Sequence, residues 1–479
     1  MASHMTPEDF RAYGHQLVDW VADYWRRLAE QPATLPVQPP VKPGQVAGQL
    51  PSKPPAHGEP IEAVLADLDQ IITPATTHWQ HPGFFGYFPA NTSGPSVLGD
   101  LISSGLGTQG MLWSTGPAAT ELETVMLDWL VDLLGLPARF HSHGPGGGVI
   151  QDSASSAALV ATLAALHRAS DGAWRTAGVD RRYTVYTSTE GHSSIEKAVR
   201  IAGLGESALR LVEVDPQTLA MRPDALRDQL AADRAAGATP ALVVATIGTT
   251  STTAIDPLPQ IGEICTQEQV WLHVDAAYAG SAAVCPELRW THAGVAHADS
   301  YCFDPHKWLL TGFDCDAFWV ADRAELVAAL TVLPEYLRNA ATSTGAVIDY
   351  RDWQVPLGRR FRALKLWFVL RWYGAEGLRA HIRHGVALAA RFADLVRADD
   401  RFELVTDHPF ALVCFRLRGG DDASNERLLT RLNAAGEVFL THTRVNGRYT
   451  LRLAVGSPHT TEETIDALWR DLRRLAELA

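Results

Sequence analysis

The chain has 479 residues, 46% hydrophobic and 20% charged, the composition of an ordinary soluble globular protein with room for a large domain and appendages. Its 41 basic and 54 acidic residues give a net charge of −13, and no basic run interleaves with aromatics, which argues against a nucleic-acid partner. No apolar stretch is long enough to span a membrane, and five cysteines without a Cys-x-x-Cys pairing fit a reducing cytoplasm better than a disulfide framework or a metal site.

Residues 6–30 predict an amphipathic helix, with Phe10, Tyr13, Leu17, Trp20, Val21, Tyr24, Trp25 and Leu28 at helical spacing. So aromatic a stripe predicts packing on another subunit; packing on its own chain is the alternative. A linker with nine prolines between Pro32 and Pro60 follows, then a short helix pattern from Ile61 to Ile72. From about residue 90 to 325, helical and short β patterns alternate. Strands are predicted at Tyr183–Thr187, Leu211–Val214, Ala241–Thr246, Val270–Val274, Ser300–Phe303 and Ala317–Val320. Such alternation indicates an α/β domain with a largely parallel sheet and ligands beyond its strand carboxyl ends. The segment Leu333–Asp349 has no clear period and carries Thr342-Ser-Thr-Gly345; a mobile lid is the functional reading and an ordered loop the alternative. Helix resumes at Arg360–Tyr373, and 375–479 alternates helices with strands such as Phe410–Leu417 and Tyr449–Val455. The expected organisation is an N-terminal helical dimerisation segment with its linker (1–89), a large cofactor-binding α/β domain including the lid (90–363), and a small α+β domain (364–479).

Five lysines stand beside 36 arginines. A Schiff base needs lysine, because a guanidinium does not give up its proton. Lys42 and Lys53 lie in the proline-rich stretch, and Lys197 and Lys365 in charge-rich helical patterns. Lys307 alone sits in an apolar, aromatic run, Ser300-Tyr-Cys-Phe-Asp-Pro-His-Lys-Trp-Leu-Leu310. Upstream, the apolar run Val270-Trp-Leu-His-Val-Asp275 ends in an acid that is costly to bury without a partner. One strand ending in Asp and the next ending near Lys suit pyridoxal phosphate, whose ring nitrogen needs a carboxylate and whose aldehyde needs an amine. An arginine or a helix N-terminus would be the structural alternative for Asp275. Gly144-Pro-Gly-Gly-Gly-Val-Ile-Gln-Asp-Ser-Ala-Ser-Ser156 leads into a small-residue helix, Ala157–Arg168, and offers free N–H groups and the Ser153 and Ser155 hydroxyls to a phosphate. A flexible loop with an ordinary N-cap is the competing reading. His192, at a helix start after a strand, can stack on a cofactor ring or serve as acid or base; a core or capping histidine is the alternative. Thr250 also follows a strand and could bond the cofactor. The run His81-Pro-Gly-Phe-Phe-Gly-Tyr-Phe-Pro-Ala90 suits either the wall of a planar pocket or core.

These segments together resemble the pyridoxal-phosphate-dependent group II amino-acid decarboxylases, in the aromatic L-amino-acid decarboxylase branch. The likeness runs from about residue 6 to the end, through His81–Pro89, Thr120-Glu-Leu-Glu-Thr-Val-Met-Leu-Asp-Trp129, Ser153-Ala-Ser155, His192-Ser-Ser, His273-Val-Asp-Ala-Ala-Tyr-Ala-Gly280, Pro305-His-Lys-Trp-Leu309 and Pro356-Leu-Gly-Arg-Arg-Phe-Arg362. The resemblance implies fold type I: a mostly parallel sheet flanked by helices, an N-terminal helical segment and a small C-terminal α+β domain. It implies a homodimer whose N-terminal helices embrace the partner and whose active sites lie at the subunit interface. Lys307 would carry the aldehyde, Asp275 pair with the pyridinium and His192 stack on the ring. Ser153, Ala154, Ser155, Thr250, Ala277, Asp304 and His306 would contact the cofactor. Phe84, Pro89, Ala90 and Gly358 would lie near substrate, with Gln109 and Met111 reaching in from the neighbouring chain. Tyr336 on the lid would protonate the α-carbon after carbon dioxide leaves.

Two departures stand out. Asp304 occupies a position where relatives often carry an uncharged side chain such as Asn, and a carboxylate beside a phosphate dianion is repulsive unless protonated or turned away. Ala90 stands where animal relatives have Thr. The expected reaction is decarboxylation of tryptophan, tyrosine, dihydroxyphenylalanine or phenylalanine to the amine. The alternatives are an aldehyde synthase on the same scaffold and a decarboxylase of non-aromatic substrates. Synthase relatives tend to lose the lid tyrosine or the stacking histidine, and this chain keeps both.

Overall fold

A computed structural model describes residues 4–332, 347–407 and 409–477. The strands run in chain order as β1 (Phe84–Phe85), β2 (Gly147–Gln151), β3 (Tyr183–Ser188), β4 (Leu209–Val212), β5 (Thr239–Thr246) and β6 (Trp271–Asp275). They continue as β7 (Ser300–Phe303), β8 (Asp316–Val320), β9 (Phe402–Leu404), β10 (Leu412–Leu417), β11 (Phe439–Val445) and β12 (Arg448–Ala454). Among the described residues these form a seven-stranded sheet, ordered β2-β8-β7-β6-β5-β3-β4, and a five-stranded sheet, ordered β1-β11-β12-β10-β9.

In the large sheet only β8 runs against its neighbours; β3, β4, β5, β6 and β7 are mutually parallel. The strands are apolar on both faces because both are covered. Leu242 and Val244 pack with the helices Ala154–Ala169 and Ser194–Ile201, while Val243 and Ala245 belong to the core of the other face, where the helices Pro223–Ala235 and Leu258–Glu268 cover the strand. Each fully buried Val or Leu here stabilises the fold by about 1.5–3 kcal/mol. The helix Ala154–Ala169 is built largely of alanine on its buried side, so its axis lies close to the sheet.

All six expected strands overlap observed ones within two residues at each end, the largest shift being Leu211–Val214, which appears two residues earlier as β4. The glycine-rich approach holds a strand that periodicity did not indicate. β2 is fully buried, and Cβ atoms on Gly147 and Gly148 would meet Trp353 and Trp319 at 2.9 and 2.7 Å. Its glycines therefore serve close packing as well as turning. The helix after it begins at Ala154 rather than Ala157, so Ser153 is its N-cap.

The helix Pro7–Glu30 forms as expected, with a Thr6–Asp9 capping box, yet only Leu28 on it is buried. Past Ile61–Asp67 the next segment widens into a single π turn, Leu68–Ile72. The helical stretch Arg362–Arg397 is interrupted at Gly374 (φ 60°, ψ 179°), immediately after the expected end at Tyr373. Its second half packs Phe392 against Phe415 and Trp469 in the small sheet's layer. Phe84 and Phe85 pair with Phe439 and Leu440, so the small sheet includes a strand from far upstream.

Candidate active site

Every parallel strand of the large sheet points its carboxyl end to one edge, and β8, being reversed, starts there. Strand parity then decides which side chains share a face. Asp275 lies four residues beyond Trp271, Asp304 two beyond Cys302, and Asp316 two before Phe318. Trp271, Cys302 and Phe318 all belong to the cluster under the helix Ala154–Ala169. The three acids therefore project on the face that this helix covers, near its N-terminus.

Lys307 sits in the short helical turn Pro305–Trp308 that follows β7. Its Nζ lies 2.6 Å from Asp304 Oδ2, and its side chain keeps 27% exposure toward the cleft. Burial opposes its charge, but Asp304 outweighs this and lifts the lysine pKa above its ordinary value. Asp304 is itself buried; burial opposes its charge, yet Lys307 and His306 hold it below the usual carboxylate range. Its Oδ1 accepts from Ala154 N–H at 3.2 Å, an orphan donor of the helix start. His306 Nδ1 accepts from Cys315 N–H at 3.0 Å, which places the imidazole proton on Nε2, 3.7 Å from Asp304 Oδ2.

Asp275 is 6% exposed, and its Oδ1 accepts from Ala277 N–H at 3.0 Å. No arginine and no helix start is paired with it among the described residues, so the structural alternative for this acid lacks a partner. Behind it His273 bonds Ser300 Oγ at 2.9 Å, and Ser300 Oγ accepts from Trp271 Nε1 at 2.8 Å. His192 opens to the cleft. Its Nδ1 accepts from Ser194 N–H at 3.1 Å, so the neutral ring carries its proton on Nε2; burial and Lys307 keep its pKa low, against Asp275 and Asp304. Ser153, Ala154 and Ser155 occupy the half-buried start of the helix, with Ser153 Oγ 3.2 Å from Asp152 Oδ1. Thr250 is exposed, and its loop is tied down by Arg452, whose Nη2 and Nε donate to Thr250 O at 2.7 Å and Ser251 O at 2.9 Å.

The other expected residues fall in three places. Pro89 is buried against Gly456, while Ala90 O accepts from Gln80 Nε2 at 2.5 Å, and Asn91 N–H donates to His306 O at 2.8 Å, joining this run to the lysine turn. Phe84 packs its ring on Trp79 and Phe439 in the small sheet, as core. Gln109, Met111 and Gly358 form a separate cluster: Gln109 Oε1 accepts from Arg359 N–H at 2.7 Å, a Cβ on Gly358 would meet Gln109 Nε2 at 3.2 Å, and Met111 O accepts from Arg351 N–H at 3.1 Å. Tyr336 lies outside the described residues, as does most of the expected lid. Lys365, grouped by sequence with the charged helical lysines, is fully buried, but it pairs with Asp100 at 3.1 Å on another element.

Sequence reading missed two residues. Arg452 carries no local motif; its role arises because β12 lies beside the Thr250 loop. Asp316 was legible as an acid opening the apolar run Asp316–Val320, but its partner depends on β8 running backwards.

The donor set fits a phosphorylated pyridine aldehyde: a buried acid for a ring nitrogen, an accessible lysine, and a helix start with hydroxyls for a phosphate. This geometry defines a fold type I enzyme that works with pyridoxal phosphate. Residues 43–418 match the pyridoxal-dependent decarboxylase conserved domain, and the chain belongs to that family. It is 45% identical to phenylacetaldehyde synthase of Arabidopsis thaliana over 98% of this chain and 96% of the relative. It is 44% identical to aromatic-L-amino-acid decarboxylase of Mus musculus over 98% of each. The crystal structure of Oryza sativa TDC with PLP and tryptamine superposes with a TM-score of 0.96 at 40% identity, covering 100% of this chain and 99% of that one.

Proposed function

We propose that this protein decarboxylates an aromatic L-amino acid (tryptophan, tyrosine, dihydroxyphenylalanine or phenylalanine) to its amine and carbon dioxide, using pyridoxal 5'-phosphate. The observation that carries this is the convergence of Lys307, Asp275 and the Ser153–Ser155 helix start at one sheet edge, in a chain whose relatives act on aromatic amino acids. When bound, the cofactor supplies an electron sink for the bond to carbon dioxide.

This chain's residues do the rest. Lys307 Nζ would supply the amine for the aldehyde. Asp275 would hold a proton at the ring nitrogen. His192, its own proton on Nε2, would lie against the ring. Ser153, Ala154, Ser155, Thr250, Ala277 and His306 orient the group, Thr250 through a loop held by Arg452. Pro89 and Ala90 border the substrate side. Tyr336, which lies outside the described residues, would deliver the proton to the α-carbon.

The reading includes a homodimer, and exposed apolar helices support it. The helix Pro7–Glu30 leaves Phe10 58% and Val18 50% exposed, and the helix Gly94–Leu106 leaves Leu98 48%, Ile102 48% and Leu106 63% exposed. Apolar faces of that extent suit a second copy of the chain. Gln109 and Met111, in the loop after the second helix, would then lie where a partner's site can receive them. No helix among the described residues is long and apolar enough to cross a membrane, and all five cysteines are buried and unpaired, which suits a cytoplasmic setting.

Mass-spectrometric product analysis tests the proposal. Protein loaded with pyridoxal phosphate is given the common amino acids plus dihydroxyphenylalanine; an aromatic amine is expected, and no turnover of any aromatic substrate would overturn it. The second reading, an aldehyde synthase, draws on the phenylacetaldehyde synthase relative. Aromatic aldehyde with peroxide would establish it; the presence of both His192 and Tyr336 favours the amine.

A further inference from the structure

Asp316 is 0% exposed, and neither carboxyl oxygen meets a hydrogen-bond donor among the described residues. Its neighbour is another acid. β7 and β8 are antiparallel with Phe303 opposite Ala317, so the next position along each strand sets Asp304 opposite Asp316 on the same face, where like charges are destabilising. Both side chains are buried, so the register leaves two carboxyls side by side, away from the bulk solvent that would screen their charges. Two carboxylates offer only lone pairs and repel each other, so one of a buried adjacent pair takes a proton. The surroundings decide which. Asp304 has Lys307 Nζ at 2.6 Å, Ala154 N–H at 3.2 Å and the His306 Nε2 proton at 3.7 Å, all favouring its ionised form. Asp316 has Asp304, more distant Asp275 and the Cys302 thiol, with Lys307 alone opposing them. Burial and the Asp304 charge push it well above the usual carboxylate range.

We propose that Asp304 and Asp316 form a carboxyl pair in which Asp316 holds one proton and Asp304 takes a second from Lys307 when the lysine becomes a free amine. In that step the Nζ–H bond breaks and the proton passes to Asp304 Oδ2. The pair changes from one negative charge to none, and the lysine from one positive charge to none. No other reactant is needed. Meanwhile the Asp304 carboxylate occupies the anion place at the start of the helix Ala154–Ala169. Once protonated it no longer competes there with a phosphate, nor repels it. An asparagine at 304 would avoid the repulsion but could not store the proton. Asp304 and Asp316 are thus positioning residues acting through Lys307 and Ala154. The proton-transfer half rests on reading Lys307 as the cofactor-binding amine; the Asp316 half does not.

Infrared spectroscopy of the cofactor-free protein at pH 8 separates the halves. A buried protonated-carboxyl stretch is expected in the wild type and should vanish in Asp316→Asn. Asp316→Ser provides the same comparison should the amide variant fold poorly. Absence of the band from the wild type, or its survival in the variant, would overturn the pair. Adding pyridoxal phosphate should bring a second carboxyl band in the wild type and none in Asp304→Asn; no gain in the wild type would overturn the transfer. Asp304→Asn should bind pyridoxal phosphate about tenfold more tightly at pH 8, the effect of one removed like charge, with a flatter pH dependence. Weaker or unchanged binding would also overturn the transfer. Wild type that shows the first band yet takes up no pyridoxal phosphate overturns the decarboxylase reading and leaves the pair standing.

Discussion

At the scale of single residues, the site is a set of acids with unequal partners. Asp275 has one backbone donor and space beyond it, so Asp275→Asn should preserve the fold but cost about 10²–10⁴ in amine production, the range for loss of a positioned proton-holding group. Product analysis beside circular dichroism checks both parts; a variant within tenfold of the wild type would remove Asp275 from its role. Lys307→Ala should abolish amine production and the visible absorbance that pyridoxal phosphate acquires on the protein. Distant histidines set the acid limit of stability. Burial pulls His273 and His292 down to about 4 from an ordinary 6.5. A depressed folded-state pKa means that the unfolded chain binds the proton first. Each residue's contribution is therefore full above pH 6.5 and lost as the pH falls toward 4, by about 3 kcal/mol. His292→Gln, which can retain a bond to Tyr301, should flatten the fall of the urea midpoint between pH 6.5 and 4.5. Equal slopes would contradict this account.

At the scale of elements, the large sheet was legible because its strands are short apolar runs ending at chemically distinctive residues. β2 was not, because glycine carries no periodicity and its fit appears only once Trp319 and Trp353 are in place. The lysine and the acid of the site were legible for the same reason that β2 was hidden: Lys307 and Asp275 stand out locally, whereas Arg452 and Asp316 matter only through elements far away in sequence. Gly148→Ala tests the packing role of β2. Its Cβ would meet Trp319 at 2.7 Å and Phe318 O at 3.1 Å, so the start of β2 would be pushed off β8 and the strand that carries Gln151 toward Ser153 would shift with it. Overpacking of this kind costs about 1–3 kcal/mol, and pyridoxal phosphate affinity should fall with it. Gly58→Ala, with no atom within 4 Å, is the control for thermal melting.

At the scale of the whole molecule, the unanswered question in the single chain is what covers its apolar helices. A 24-residue helix with one buried residue gains little from its own domain; tertiary packing, rather than propensity, normally stabilises such a helix. Trp20 does bond Asp69 at 2.7 Å and Tyr24 bonds His78 at 2.8 Å, which fixes one side of the helix to the linker region. Phe10, Leu17 and Val18 remain exposed, as do Leu98, Leu101 and Ile102 on the helix Gly94–Leu106. The same second helix packs its other side on Arg362–Arg397, where Gly99 approaches the Lys365 backbone so closely that a Cβ would lie 2.6 Å from its Cα. It is thus held rigidly against the core while presenting leucine and isoleucine outward, as an interface element should be. Leu98→Glu with Ile102→Glu places two charges on that face without touching Lys307, Asp275 or the sheet edge. Sedimentation velocity should find the wild type dimeric and the double variant monomeric. If Gln109 and Met111 serve a partner's site, amine production should fall with the dimer fraction and recover as protein concentration rises, whereas a site complete within one chain would retain full specific activity as a monomer.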